Sequence, residues 1–192
     1  MGIIRKDFKY KVVKNFISSD EQKLIENYLK IKHRTNSKSF ANSICQTRDS
    51  SWYGDPITES LMLKKTKDMQ EITGLQLDPT YSYSRFYTYL ADLKKHTDRE
   101  SCEISVSLQI ASSGEPWPIF VDGKKLILEN GDAVIYLGEE LEHYREEFKG
   151  DFQIQCFLHW VDKNGKNKDF ALDKRDYWGL PNPWIGRELL CN

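Results

Sequence analysis

The stretch Glu103-Ile104-Ser105-Val106-Ser107-Leu108-Gln109-Ile110 alternates polar and apolar residues without a break. A period of two belongs to a β-strand, whose successive side chains leave opposite faces. Similar short runs lie around it, at 81–90, 119–121, 124–129, 132–137, 141–144 and 152–161. Asp122-Gly123 and Asn130-Gly131 each sit between apolar-rich runs, the signal of a two-residue hairpin. So many short strands with tight turns commit the middle of the chain to antiparallel sheets.

The segments before this region read differently. Residues 8–16 partly alternate and predict a first strand, and Ser18-Ser19-Asp20-Glu21 offers helix-capping groups. Leu24, Ile25, Tyr28, Leu29 and Ile31 recur at near-helical spacing, which predicts a helix over 19–32. The polar stretch 34–51 predicts a loop with one short strand near Ile44, with His33 solvated at its start. Trp52-Tyr53-Gly54-Asp55-Pro56 predicts a turn, and Ile57, Leu61, Met62 and Met69 a second helix running to about Glu71, with Gly74 where helices stop. Lys163 to Asp176 reads as loop, and Pro181-Asn182-Pro183 fixes a turn. Two helices followed by many short strands predict a mainly β fold with supporting α-helices, a double-sheet jelly roll or small barrel. One domain of 192 residues is expected: helical support over about 1–75, a jelly-roll core over about 76–162 and a tail over 163–192.

Charge narrows the function classes. With 28 basic against 29 acidic residues there is no basic excess, so no nucleic-acid partner is expected. The N-terminus lacks an apolar signal core, and no run approaches the ~20 apolar residues that span a bilayer. Cys45, Cys102, Cys156 and Cys191 are scattered, which fits free thiols in a cytoplasmic setting, with a Cys102–Cys156 contact left open.

The chemistry concentrates at His96-Thr97-Asp98 and at His143. In extended chain His96 and Asp98 project to one side, as chelation requires. Two imidazoles and one carboxylate form the ligand set for a ferrous iron that keeps open positions. A His-x-Asp pair alone is weak: with 4 histidines and 29 acids in 192 residues it arises by chance about half the time. Its place between two strands, and a third ligand just beyond a later strand, give it context. His159, inside a mostly apolar strand, is the rival ligand, and a buried core histidine is its competing reading.

Together these residues resemble a family. Arg85-Phe86-Tyr87, Leu93, His96-x-Asp98-Arg99, Cys102-Glu103-Ile104-Ser105, Pro116-Trp117-Pro118, Gly131-Asp132-Ala133-Val134-Ile135-Tyr136, His143-Tyr144-Arg145-Glu146 and 155–161 follow one another as in the iron(II)- and 2-oxoglutarate-dependent oxygenases. The branch similar to prolyl 4-hydroxylases is the nearest. The resemblance implies a double-stranded β-helix (jelly roll) core in which His96, Asp98 and His143 bind Fe(II). It also implies Tyr87 as a 2-oxoglutarate contact, O2 as oxidant and ascorbate as a candidate reductant.

The implied reaction hydroxylates an unactivated C–H bond, of a peptidyl proline or a small molecule, and releases succinate and CO2. In many members a basic residue about ten positions after the distal histidine pairs with the far carboxylate of 2-oxoglutarate. Here that position is Gln153, which cannot form a charge-assisted pair. Arg145 is the first candidate to replace it and Arg85 the second. The competing reading of Arg145 is a surface pair with Glu142, Glu146 or Glu147. Tyr83, Tyr87, Tyr89 and Trp117 are candidate walls, and 34–54 and 176–181 candidate lids. The rival functions are a non-catalytic cupin-like binding barrel and a nucleic-acid demethylase of the same superfamily. A monomer or homodimer is expected.

Overall fold

A computed structural model of the chain describes residues 8–35, 50–114 and 116–179. The expected strand near Ile44, the turn at Pro181–Pro183 and most of the 34–54 segment lie outside them. The described strands are β1 (Tyr10–Val13), β2 (Ser50–Tyr53), β3 (Leu77–Thr88), β4 (Leu93–His96), β5 (Ile104–Ser112), β6 (Ile119–Val121), β7 (Lys124–Leu126), β8 (Ala133–Leu137), β9 (His143–Arg145) and β10 (Phe152–Asp162). They form a six-stranded sheet in the order β1-β8-β5-β10-β3-β2 and a four-stranded one in the order β4-β9-β6-β7. All pairings are antiparallel. This is a mainly β, helix-supported jelly roll whose sheets face each other without closing into a barrel.

Two helices cover the outer face of the large sheet. The first, α1 (Ser19–Thr35), starts on a reciprocal capping box: Ser18 N donates to Glu21 Oε2 at 2.8 Å and Glu21 N to Ser18 Oγ at 3.2 Å. The second, α2 (Pro56–Thr73), is capped by Asp55, which accepts from Ile57 N at 3.1 Å. It closes on Gly74 at φ 73°, where a left-handed residue lets the cap N–H reach Gln70 O.

Strand alternation then divides the large sheet. Val106, Leu108 and Ile110 of β5 and Ile154, Cys156, Leu158 and Trp160 of β10 join the core under the helices, with Trp160 Nε1 donating to Thr66 of α2 at 3.0 Å. The intervening residues, Ser105 and Gln109, Gln153 and His159, face the interior between the sheets, and all are buried. On β3 the same rule turns Tyr81, Tyr83, Arg85 and Tyr87 inward, where they line a cleft. A sheet whose polar face is covered rather than wet has something to do with those polar groups.

Several expectations are corrected. Trp52 and Tyr53 belong to β2, paired with Ser84 and Tyr83, so the turn begins only at Gly54. Asp122-Gly123 is the expected hairpin, with Val121 opposite Lys124. Asn130-Gly131 is not one: β7 pairs with β6, while β8 pairs with β1 and β5. The turn carries the chain from one sheet to the other, and is locked by the Asp132 carboxylate, which accepts from Asn15 N and Glu129 N at 3.0 and 2.9 Å. Local turn chemistry cannot tell which sheet the next strand joins. His33 is half-buried rather than fully solvated: its ring stacks on Phe86 at 3.9 Å and its Nδ1 lies 2.8 Å from Ser50 Oγ. Within 163–176, Lys168–Lys174 forms tight 3-10 turns. Cys102 and Cys156 are buried free thiols.

Candidate metal centre

His96 ends β4 and His143 begins β9, and the two stand directly opposite each other across the antiparallel pair. Two imidazoles 47 positions apart thus become cross-strand neighbours, their ring centroids 4.2 Å apart. Asp98 follows β4, where its backbone N donates to Gly138 O at 2.8 Å. Asp98 Oδ1 lies 3.7 Å from His96 Nε2 and 3.5 Å from His143 Nε2. One ligand atom from each residue falls within 4.8 Å of the others.

Both imidazoles are held in the tautomer that metal binding needs. His96 Nδ1 is 2.7 Å from Lys94 O, and His143 Nδ1 is 2.9 Å from Leu141 O. A carbonyl only accepts, so each Nδ1 carries the proton and each Nε2 presents its lone pair. The carboxylate is held as well: Ser105 Oγ donates to Asp98 Oδ2 at 3.1 Å. Gly138 leaves it room, because a Cβ there would stand 2.7 Å from Asp98 Oδ2 and would clash with Cys102 O and Ser105 Oγ.

Protonation states agree with this geometry. Burial works against the Asp98 charge, but the approach of His143, and of His159 and His96 beyond it, outweighs it and holds the carboxyl below its ordinary pKa. Burial, then the neighbouring His143, lowers the His96 pKa. A His96 imidazole held below its ordinary pKa beside a charged Asp98 suits a divalent ion. A second set, Asp98, Cys102 and His159, is equally close-set. It lacks the chemistry. A thiol binds metal as thiolate, and burial pushes the Cys102 pKa far up while its sulfur sits 3.1 Å from the Tyr81 hydroxyl. His159 has its Nδ1 on Ser105 Oγ at 2.9 Å, and burial drives its pKa down to about 4. It is a hydrogen-bonded core histidine at the edge of the cleft.

The cleft runs from these ligands along β3, past Tyr83 and Arg85 to Tyr87, with Tyr136, Phe157 and His159 on its other sides. Tyr89 is exposed and forms no wall. Trp117 backs Tyr87 edge-on at 5.1 Å instead of lining the cleft. Arg85 lies in the cleft over the Tyr83 and Tyr87 rings, at 5.5 and 5.6 Å.

Arg145 is not a surface residue. It shares the inward face of β9 with His143, is 2 % exposed, packs over the Trp117 ring at 5.0 Å and donates to Trp117 O. Gln153 Nε2 donates to Gln109 Oε1 at 2.7 Å, and the Gln155 amide oxygen accepts from Arg145 Nη2 at 2.8 Å. Among the described residues no carboxylate pairs with Arg145, and its Nε and Gln153 Oε1 have no hydrogen-bond partner. Burial lowers the guanidinium pKa to about 10, with the Tyr87 and Tyr136 hydroxyls opposing.

No family model matches the chain, and no curated protein matches it either. Solved structures do. A prolyl-4-hydroxylase from Pseudomonas putida superposes with a TM-score of 0.64 at 15% identity, covering 83% of this chain and 95% of that one. The fold is that of the 2-oxoglutarate/iron(II) oxygenases. The viral collagen prolyl hydroxylase of Paramecium bursaria Chlorella virus-1, solved with 2-oxoglutarate, gives 0.62 at 12% identity over 82% and 98%. HygX from Streptomyces hygroscopicus, with nickel and 2-oxoglutarate bound, gives 0.62 at 11% over 81% and 84%.

The structure thus brings His96, Asp98 and His143 together, and sets Tyr87 and Arg85 in the adjoining cleft with Arg145 and Gln153 behind it. Sequence reasoning missed Ser105, Gly138, Gln109 and Gln155. The signal for three of them was present: Ser105 and Gln109 are the polar half of the alternation in β5, and Gln155 that of β10. Gly138 left no signal, since its role is the space it leaves for a residue forty positions away.

Proposed function

We propose that this protein is an iron(II)- and 2-oxoglutarate-dependent dioxygenase that hydroxylates an unactivated C–H bond. The observation that carries the reading is the convergence of His96, Asp98 and His143 with both Nδ1 protons held by backbone carbonyls. Three protein ligands on one side of an ion leave positions for a chelating co-substrate and dioxygen. Bound iron, 2-oxoglutarate and O2 supply the oxidation, with succinate and CO2 as co-products.

The chain's own residues have the remaining tasks. His96, Asp98 and His143 hold the ion, and Ser105 keeps the Asp98 carboxylate turned toward it. Tyr87 would contact the co-substrate, and Arg145 would pair with its far carboxylate. A buried guanidinium without a carboxylate partner among the described residues fits a dianionic co-substrate, because a charge-assisted bond would satisfy it. This moves the counter-charge from the strand of Gln153 to β9. Arg85 is the alternative cation, and Gln153 contributes hydrogen bonding only. Tyr81, Tyr83 and Phe157 line the cleft beside the three ligands and would exclude water from the reacting atoms.

For the substrate we propose a peptidyl proline or a small molecule. Two of the similar structures are prolyl hydroxylases by name, and HygX is also seen with hygromycin B. The test is succinate release from 2-oxoglutarate with Fe(II) and ascorbate in air, with proline-containing peptides and with small-molecule panels. Release that depends on His96 supports the reading. Iron-loaded protein that binds 2-oxoglutarate and never yields succinate overturns it in favour of a binding role.

A further inference from the structure

The residues after β10 return to the metal end of the cleft and are pinned there by two ion pairs, Arg175–Glu59, which is buried, and Arg99–Asp173, in which a buried carboxylate meets a half-exposed guanidinium. Leu172, Asp173 and Lys174 follow one another at φ 56°, 52° and 58°. Three consecutive non-glycine residues in the left-handed region is a conformation L side chains rarely adopt. Its result is to turn the Asp173 carboxylate inward, where its side chain is 1% exposed. Arg99 meets it in a two-point pair, Nη1 to Oδ1 and Nη2 to Oδ2, both at 2.8 Å, and the Tyr53 hydroxyl donates to the same carboxylate.

Arg99 is the residue directly after the ligand Asp98. Its guanidinium also lies over the Tyr81 ring at 4.6 Å; Tyr81 stacks on Tyr53 at 4.9 Å and stands 4.6 Å from His159. Asp98 is therefore supported from both sides. Ser105 and Gly138 hold its carboxylate and backbone, and Arg99, clamped to Asp173, fixes the chain that leaves it.

We infer that Asp173 is a positioning residue for the metal centre, holding the Asp98–Arg99 turn through its two-point pair with Arg99. This rests on the reading that His96, Asp98 and His143 bind a divalent ion. Groups bonded directly to a metal ligand are typically worth about 10- to 100-fold in metal affinity, and a clamp one residue removed is expected at the low end of that range. A planar fork is needed for the two-point pair, so lysine cannot replace Arg99.

The test is a Co(II) titration of the full chain, followed by visible absorption and calorimetry, beside thermal melts. Asp173→Asn and Arg99→Lys should each weaken Co(II) binding by about 10-fold, and the double variant should be no weaker than either single one. Glu59→Gln is the control. It breaks the second ion pair of the same segment, Arg175 Nη2 on Glu59 Oε1, without touching Arg99. It should lower the melting temperature yet leave Co(II) affinity within about twofold, as for an uncoupled site. Folded Asp173→Asn that binds Co(II) like the parent overturns the inference. Should that variant not fold, Arg99→Lys binding like the parent does the same. Glu59→Gln weakening Co(II) equally would also overturn it, since anchoring of the segment alone would then explain the effect. Co(II) binding unmoved by His96→Ala strikes instead at the metal site itself.

Discussion

The two ends of the cleft treat their polar groups differently. At the metal end the Nδ1 of His96 and of His143 each has a carbonyl, and the Asp98 carboxylate has Ser105. At the inner end a guanidinium sits in the interior with Trp117 and a ring of glutamines, and atoms of Arg145 and Gln153 have no hydrogen-bond partner. The first arrangement is preorganised: two carbonyls and a hydroxyl fix the orientation of the ligand side chains. The second keeps a buried guanidinium with no carboxylate partner among the described residues, the arrangement proposed above to receive the far carboxylate of the co-substrate.

The sharpest way to break this contrast is at the metal end. His96→Ala should bring succinate release to background, while stability moves by no more than about 1 kcal/mol because the imidazole lies at the sheet rim. Normal turnover in that variant ends the catalytic proposal.

Arg145→Met probes the inner end and should give effects of opposite sign. Affinity for 2-oxoglutarate, or for N-oxalylglycine in the Mn(II)-loaded protein, should fall on the order of 100-fold as a buried charge pair is lost. The ligand-free protein should meanwhile melt higher, since an uncompensated charge has been removed. An unchanged co-substrate affinity transfers the role to Arg85.

A pH series reads the neutral core of the metal end. Burial holds the His159 pKa at about 4, against 6.5 for the ordinary imidazole. Between those two values the unfolded chain binds a proton that the folded chain refuses. Stability is thus lost as pH falls from about 6.5 to 4, by about 3 kcal/mol in total. His159→Gln should flatten that part of the urea-midpoint profile; an unflattened profile assigns the acid sensitivity elsewhere.

The smallest expected effect belongs to Gly138→Ala. The added methyl would crowd Asp98 Oδ2, Ser105 Oγ and Cys102 O, an overpacking of about 1–3 kcal/mol, and Co(II) affinity should drop with it. Unimpaired metal binding would mean that the Asp98 carboxylate has more freedom than its contacts suggest.

Much of this protein could be read from its residues because the signals are local. Strand periodicity in 103–110 and 152–161, the capping box at Ser18 and Glu21, and the Asp122-Gly123 hairpin all depend on neighbours within a few positions. The His96–Asp98 pair was legible for a related reason, since it carries its own spacing, whereas the return of His143 beside it was expected from a hairpin at Asn130-Gly131 and comes instead from the pairing of β9 with β4. Partnership over long sequence distances was not legible. Asn130-Gly131 looks the same whether the chain folds back on its own strand or changes sheet. His33 beside two cations looks solvated until Phe86 stacks on it.

No helix among the described residues is long and apolar enough to cross a membrane, as the sequence suggested, because hydropathy needs no tertiary partner. The sequence by itself determined which residues alternate and which atoms can ligate, since both follow from side-chain chemistry and strand period. Only the tertiary structure decided that the polar faces of β3, β5 and β10 look into a covered interior, that Arg145 is buried there beside a glutamine at position 153, and that Asp173 closes on the residue after Asp98. Burial and pairing between segments far apart in sequence are properties of how the sheets stack, and no single stretch of the chain encodes them.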